Sequence, residues 1–164
     1  MDFATVLRLL HIASAIFWVG TAFFMLLFLE PVVQRAGEVG NQIMDALASR
    51  TRFPLAIALS AITTVLTGLV MYEQAYGFDP ATMLSSKLPL SLGATSGILA
   101  ALTGFYFQGR SIRALVALGA TIARQGSPPN PEQLARMQLH RQRVALGTRI
   151  STALMVLAVI GMVV

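Results

Sequence analysis

Four nearly unbroken apolar stretches divide the chain, at about residues 10–29, 54–72, 88–108 and 144–164. A bilayer core takes roughly 20 helical residues, so the pattern predicts four membrane-spanning helices. An amphipathic turn, residues 3–9, precedes the first, and Glu30-Pro31 is expected to end it. Pro54 and Pro89 fall in first turns, where a missing N–H costs little. Ser85 and Ser86 stand where the third span needs a cap. After the third span the pattern turns amphipathic. Residues 111–125 and 131–147 read as helices split by the breaker GlySerProProAsnPro at 126–131. Leu115, Leu118 and Ile122 can face Leu134, Met137 and Val144, which predicts a helical hairpin beyond the membrane. In the first connection Ile43, Met44 and Leu47 have helical spacing and predict a short interfacial helix. With no repeat and no linker, residues 1–164 read as one all-α domain, an integral membrane four-helix bundle.

Composition supports this reading. Only 12% of residues are charged and mean hydropathy is +0.71, where a soluble domain carries roughly a quarter charged residues. The first apolar run is too long for a signal-peptide core of about 7–15 residues and reads as an uncleaved span. Cysteine is absent, which removes disulfides, thiolate metal sites and catalytic thiols. The net charge of +5 reports topology and anionic lipid in so apolar a chain, not nucleic acid. Ten of the twelve basic residues lie on one side: Arg35, Arg50 and Arg52, then Arg110, Arg113, Arg124, Arg136, Arg141, Arg143 and Arg149. That side is expected to be cytoplasmic, with both termini outside, in a cell inner (plasma) membrane. The eight methionines are scattered, unlike the clustered soft ligands of a copper path. No hydrolase triad, metalloprotease helix or phosphate loop is present.

Small residues mark the expected packing faces. Ala56, Ser60, Thr64 and Gly68 recur at four-residue steps in span two, and Gly93, Gly97 and Ala101 in span three. Such stripes let helix backbones approach closely. They suit packing inside one bundle, a homo-oligomer through Gly93/Gly97, or space for a flat cofactor.

His11 carries most of the functional inference. An imidazole within a span is costly unless it meets protein, water or a ligand. Depth counting puts it at the outer edge of the hydrocarbon, with Arg8 one turn above on the same face and Lys87 near the same depth. A neutral imidazole commonly ligates haem iron. Two basic groups suit the carboxylates of a tetrapyrrole, and a deprotonated lysine can itself ligate. The plainer alternatives are that Arg8 and Lys87 snorkel to headgroups and that His11 bonds a neighbouring helix. Trp18, in mid-span, suits the bundle core or a cofactor wall. Tyr72, Glu73 and Tyr76 end span two near the same layer, where Glu73 suits a solvated or ion-paired role. Tyr106 suits the interfacial belt at the other end, and His140 reads as a solvated helix residue.

The run LeuHisIleAlaSerAlaIlePheTrpValGly (residues 10–20), followed by LeuGluPro (29–31), resembles the opening helix of CopD-like membrane proteins and of HemJ-type protoporphyrinogen oxidases. Both groups place a His at the start of that helix, then an aromatic and a Gly. The resemblance to the HemJ type implies four spans, bound haem b, and a Lys at the start of the third helix, where Lys87 stands. It departs before that lysine, where MetLeuSerSerLys (83–87) replaces a TrpLeuHis-type element. The resemblance implies a membrane oxidoreductase passing electrons to a quinone, with His11 and Lys87 at the metal and Arg8 and Trp18 beside the cofactor. A CopD-like transport protein without haem, or a structural subunit of a membrane complex, are the other expectations.

Overall fold

The computed structural model describes residues 2–85 and 87–163 and is helical throughout, with no strand among them. The elements are α1 (Phe3–Phe24), α2 (Glu30–Arg50), α3 (Phe53–Tyr76), α4 (Pro80–Leu84), α5 (Leu88–Thr103), α6 (Arg110–Gln125) and α7 (Pro131–Val163). Two π-helical turns, Met25–Leu29 and Gly104–Gly109, join α1 to α2 and α5 to α6 without a break. Four of the resulting helices are long and apolar enough to cross a membrane. Ser86, one of the two caps expected for the third span, lies outside the described residues. The other, Ser85, donates to Ala81 O at 2.6 Å in α4, and Lys87 precedes α5 without a side-chain cap.

The first span does not stop at Glu30-Pro31. Pro31 lacks an N–H and its ring would crowd the preceding turn of an α-helix. The wider π turn just before it relieves that conflict and the helix runs on. The break comes instead at Gly37, whose φ of 58° and ψ of −121° lie outside the helical region and favour glycine. The second half of α2 is the helix expected around Ile43. Half-buried Met44 and Leu47 lie on its inner side, while Ile43 is exposed.

The helical hairpin forms, with one of its expected packing residues turned outward. Gly126 ends α6 in the left-handed region at φ 63°. Asn130 and Gln133 then cap α7 reciprocally, at 2.8 Å and 2.9 Å. Leu115, Leu118, Ile122, Met137 and Val144 are half-buried there, while Leu134 is exposed. At α7's 33 residues and about 1.5 Å per residue, the helix is about 50 Å long and overruns a hydrocarbon core of about 30 Å by roughly 20 Å.

The bundle is apolar outside and small inside. Large side chains such as Ile16, Leu59, Leu66, Leu92 and Leu157 face outward. Most buried positions are small, among them Ser60, Thr64, Thr67, Gly93, Ala100, Ser151 and Thr152, with Trp18, Tyr72 and Met155 among the larger exceptions. With lipid as the solvent there is no gain in hiding leucine, and close backbone approach holds the helices together. α5 and α7 make the most extensive pair, α1 and α3 the next. At the first, a β-carbon on Gly161 would stand 2.5 Å from Pro89 O, and one on Gly93 2.9 Å from Ala158 O. The Gly93 stripe thus meets α7 of the same chain.

Candidate functional site

His11 is carried by the N-terminal half of α1 and faces α3. Its Nδ1 lies 2.9 Å from the Thr64 carbonyl and 3.2 Å from Thr67 Oγ1. A carbonyl only accepts, so Nδ1 carries the proton and donates it. The Thr67 hydroxyl already donates to Thr63 O at 2.6 Å, which leaves its lone pairs toward the ring. The imidazole rests on Gly68, where a β-carbon would stand 2.9 Å from Cε1. One turn along α1, Thr64 Oγ1 stands 2.8 Å from Ser14 Oγ, which itself donates to Leu10 O at 2.6 Å. The four-residue stripe of span two is therefore the seat of His11: Gly68 gives it room and Thr64 gives it an acceptor.

This seat fixes the tautomer. With Nδ1–H bonded, the neutral ring keeps its lone pair on Nε2, which has no hydrogen-bond partner among the described residues. An imidazole held this way by a backbone carbonyl is oriented as a metal ligand. Among the described residues no three His, Asp or Glu side chains gather where they could hold an ion. A metal at His11 would therefore have to bring most of its ligands with it, as a tetrapyrrole does. Of what a haem needs, the described residues supply one oriented nitrogen donor, His11 Nε2.

Lys87 sits elsewhere along the bundle. Its Nζ lies 4.8 Å from the centre of the Tyr76 ring, at a hollow of about 210 Å³ between Tyr76, Lys87, Pro89, Leu90 and the end of α7 at Gly161–Val163. From Gly68 to Tyr76 is eight residues, roughly 12 Å along α3. Depth counting from span ends puts Lys87 level with His11; the helix register puts it farther from the middle of the bundle, because α3 runs on to Tyr76, four residues past its apolar run. Arg8 is exposed, one turn outward of His11 on α1. The three basic groups form an outward series. Trp18 lies two turns inward, 7% exposed, in a cluster with Ala61, Ala100, Ala101 and Met155.

No known protein family, curated relative or solved structure matches this chain.

Several residues around the site escape a reading of sequence alone. Tyr72 is buried, and its hydroxyl lies 2.7 Å from Ser91 Oγ. Because Ser91 donates to Lys87 O at 2.9 Å, Tyr72 donates to Ser91 and ties α3 to the start of α5. Phe78 stacks on Tyr72 at 6.0 Å and Tyr76 meets it edge-on at 5.6 Å, so an aromatic cluster supports Lys87. Glu73 is exposed. Tyr106 is 66% exposed with the Arg110 guanidinium over its ring. His140 is half-buried, not solvated: its Nδ1 is shut from solvent with no partner among the described residues.

Proposed function

We propose that this chain is a multi-pass membrane protein that binds haem b at His11 and works in electron transfer. Its reaction class would be that implied by the first-helix resemblance: oxidation of a protoporphyrinogen-like substrate, with electrons passed to a quinone. The observation that carries the reading is the Nδ1–H···O=C bond from His11 to Thr64 at 2.9 Å, which leaves Nε2 as the free donor atom. Nε2 of His11 would hold the iron. Two ligands of one metal can stand at most about 4 Å apart, twice a metal–nitrogen bond of about 2 Å. The roughly 12 Å of α3 between the His11 seat and Lys87's aromatic partner favours Lys87, with Arg8, as a partner for the carboxylates. Trp18 would close the inner side against water. When bound, haem supplies one-electron chemistry, and the protein sets its potential and access. The arginine-rich side would be cytoplasmic, in the inner (plasma) membrane.

The test is an absorption spectrum of the detergent-purified protein, oxidised and dithionite-reduced, beside His11→Ala. A Soret band with reduced b-type bands, lost or shifted in the variant, is the expected result. Wild-type protein that stays colourless after haem is supplied would overturn the proposal.

A further inference from the structure

We propose that Arg110 and Arg113, with the aromatic turn before them, form a binding site for the headgroup of an anionic phospholipid. The boundary of the hydrocarbon can be read along this helix. Outward-facing positions are Leu92, Leu99 and Leu102, then Phe105, Tyr106 and Phe107, all exposed. The next exposed side chains are Arg110 and Arg113. Aromatic rings at such a change from apolar to charged mark the headgroup level. Gly104–Gly109 is a π-helical turn, which sets three successive aromatics against lipid while the helix continues, and such turns recur at functional sites.

The two guanidinium groups are oriented, not merely present. The Arg110 guanidinium carbon lies 5.6 Å from the centre of the Tyr106 ring, a cation–π contact that holds the group beside the ring. Arg113 Nε donates to Gly109 O at 3.1 Å, leaving its outer nitrogens for an acceptor. The pair stands three residues apart on one helix face. Neither has a carboxylate within ion-pair distance among the described residues, in contrast to Arg136 with Glu132 and Arg149 with Glu30. Two unpaired forks at headgroup level suit a phosphate, which arginine binds through paired N–H groups. The neighbouring exposed Phe105, Phe107 and Leu102 suit the acyl chains of the same molecule. A soluble acidic partner would use the charges and leave those rings idle.

The full chain in detergent is titrated with phosphatidylglycerol or phosphatidylcholine, with bound lipid counted by native mass spectrometry and Tm followed alongside. The wild type is expected to retain phosphatidylglycerol and to be stabilised by it, and not by phosphatidylcholine. R110Q/R113Q should weaken that binding about 30-fold. R124Q, on the same helix but away from the boundary, should leave it unchanged. R110K/R113K keeps the charge without the forks and should fall between; with the wild-type lipid comparison it decides the matter if the Gln pair does not fold. Equal retention of the two lipids by the wild type would overturn the site. So would unchanged binding in R110Q/R113Q, or an equal rise in Tm with inorganic phosphate alone.

Discussion

A methyl group at Gly68 is the most direct probe of the His11 seat. In Gly68→Ala the new carbon would stand 2.9 Å from Cε1 of the imidazole, so the ring must move and its bond to Thr64 O must lengthen. Crowding of this kind costs about 1–3 kcal/mol. The expected result is a lower Tm and, in protein carrying haem, shifted absorption bands with the histidine still present. Unchanged bands would mean that the α3 contact does not orient the ligand. Lys87→Met separates the two roles open to the lysine. If Lys87 partners carboxylates, band positions persist and haem is retained less well on washing; if it ligates, the reduced spectrum itself changes. His11 is legible from the sequence because an imidazole in an apolar run is costly wherever it falls. Its acceptor is not, because Thr64 is 53 residues away and their meeting depends on the register of two helices.

At the scale of helices, the α5–α7 interface offers a contrast between two glycines. Gly161→Ala puts a carbon 2.5 Å from Pro89 O, a backbone atom that cannot swing aside, whereas at Gly97 it would meet only Ala158 Cβ at 3.8 Å. Gly161→Ala should cost about 1–3 kcal/mol, and Gly97→Ala should be neutral or gain up to about 1 kcal/mol from helix propensity. Thermal melts in detergent rank the two, and equal Tm values would show that α5 and α7 are not pressed together here. On the arginine-rich side, Glu38 and Asp45 of α2 share a groove of about 320 Å³ with Leu134, Met137, Gln138 and Arg141 of α7. Loss of hydration there raises the Asp45 carboxyl above its ordinary value; Arg141 opposes this and Glu38 adds to it. The folded chain thus holds that proton to higher pH than the unfolded one. Stability is greatest below the ordinary aspartate range and falls as pH rises through the raised value. Asp45→Asn should flatten that slope and leave Tm at neutral pH equal or higher; a lower Tm would mean that attraction to Arg141 outweighs the lost hydration. The spans, the hairpin and the small-residue stripes are all readable from periodicity. The two π turns are not, because a one-residue widening leaves no repeat in the sequence, and they are what carry α1 and α5 past the ends of their apolar runs.

For the whole molecule, the arrangement of helices and charges makes a testable statement about sidedness. α1 and α3 are joined at the arginine-rich end by α2, and α5 and α7 by the hairpin. The α3–α4 connection and the start of α1 therefore share the opposite end. The proposed orientation puts that end outside, since basic residues are retained on the cytoplasmic side. The native chain has no cysteine, so single introduced thiols report position without background. Gln74→Cys lies at the exposed C-terminal end of α3, and Ser127→Cys in the exposed loop between α6 and α7. A membrane-impermeant thiol reagent applied to intact cells should label the first and spare the second, and in inverted vesicles the pattern should reverse. Labelling of both thiols from one side would break the four-span topology itself. Labelling of Ser127→Cys in intact cells, with Gln74→Cys protected, would keep the bundle but invert it. His11 would then face the cytoplasm, and a substrate for the haem site would have to be sought on that side of the membrane.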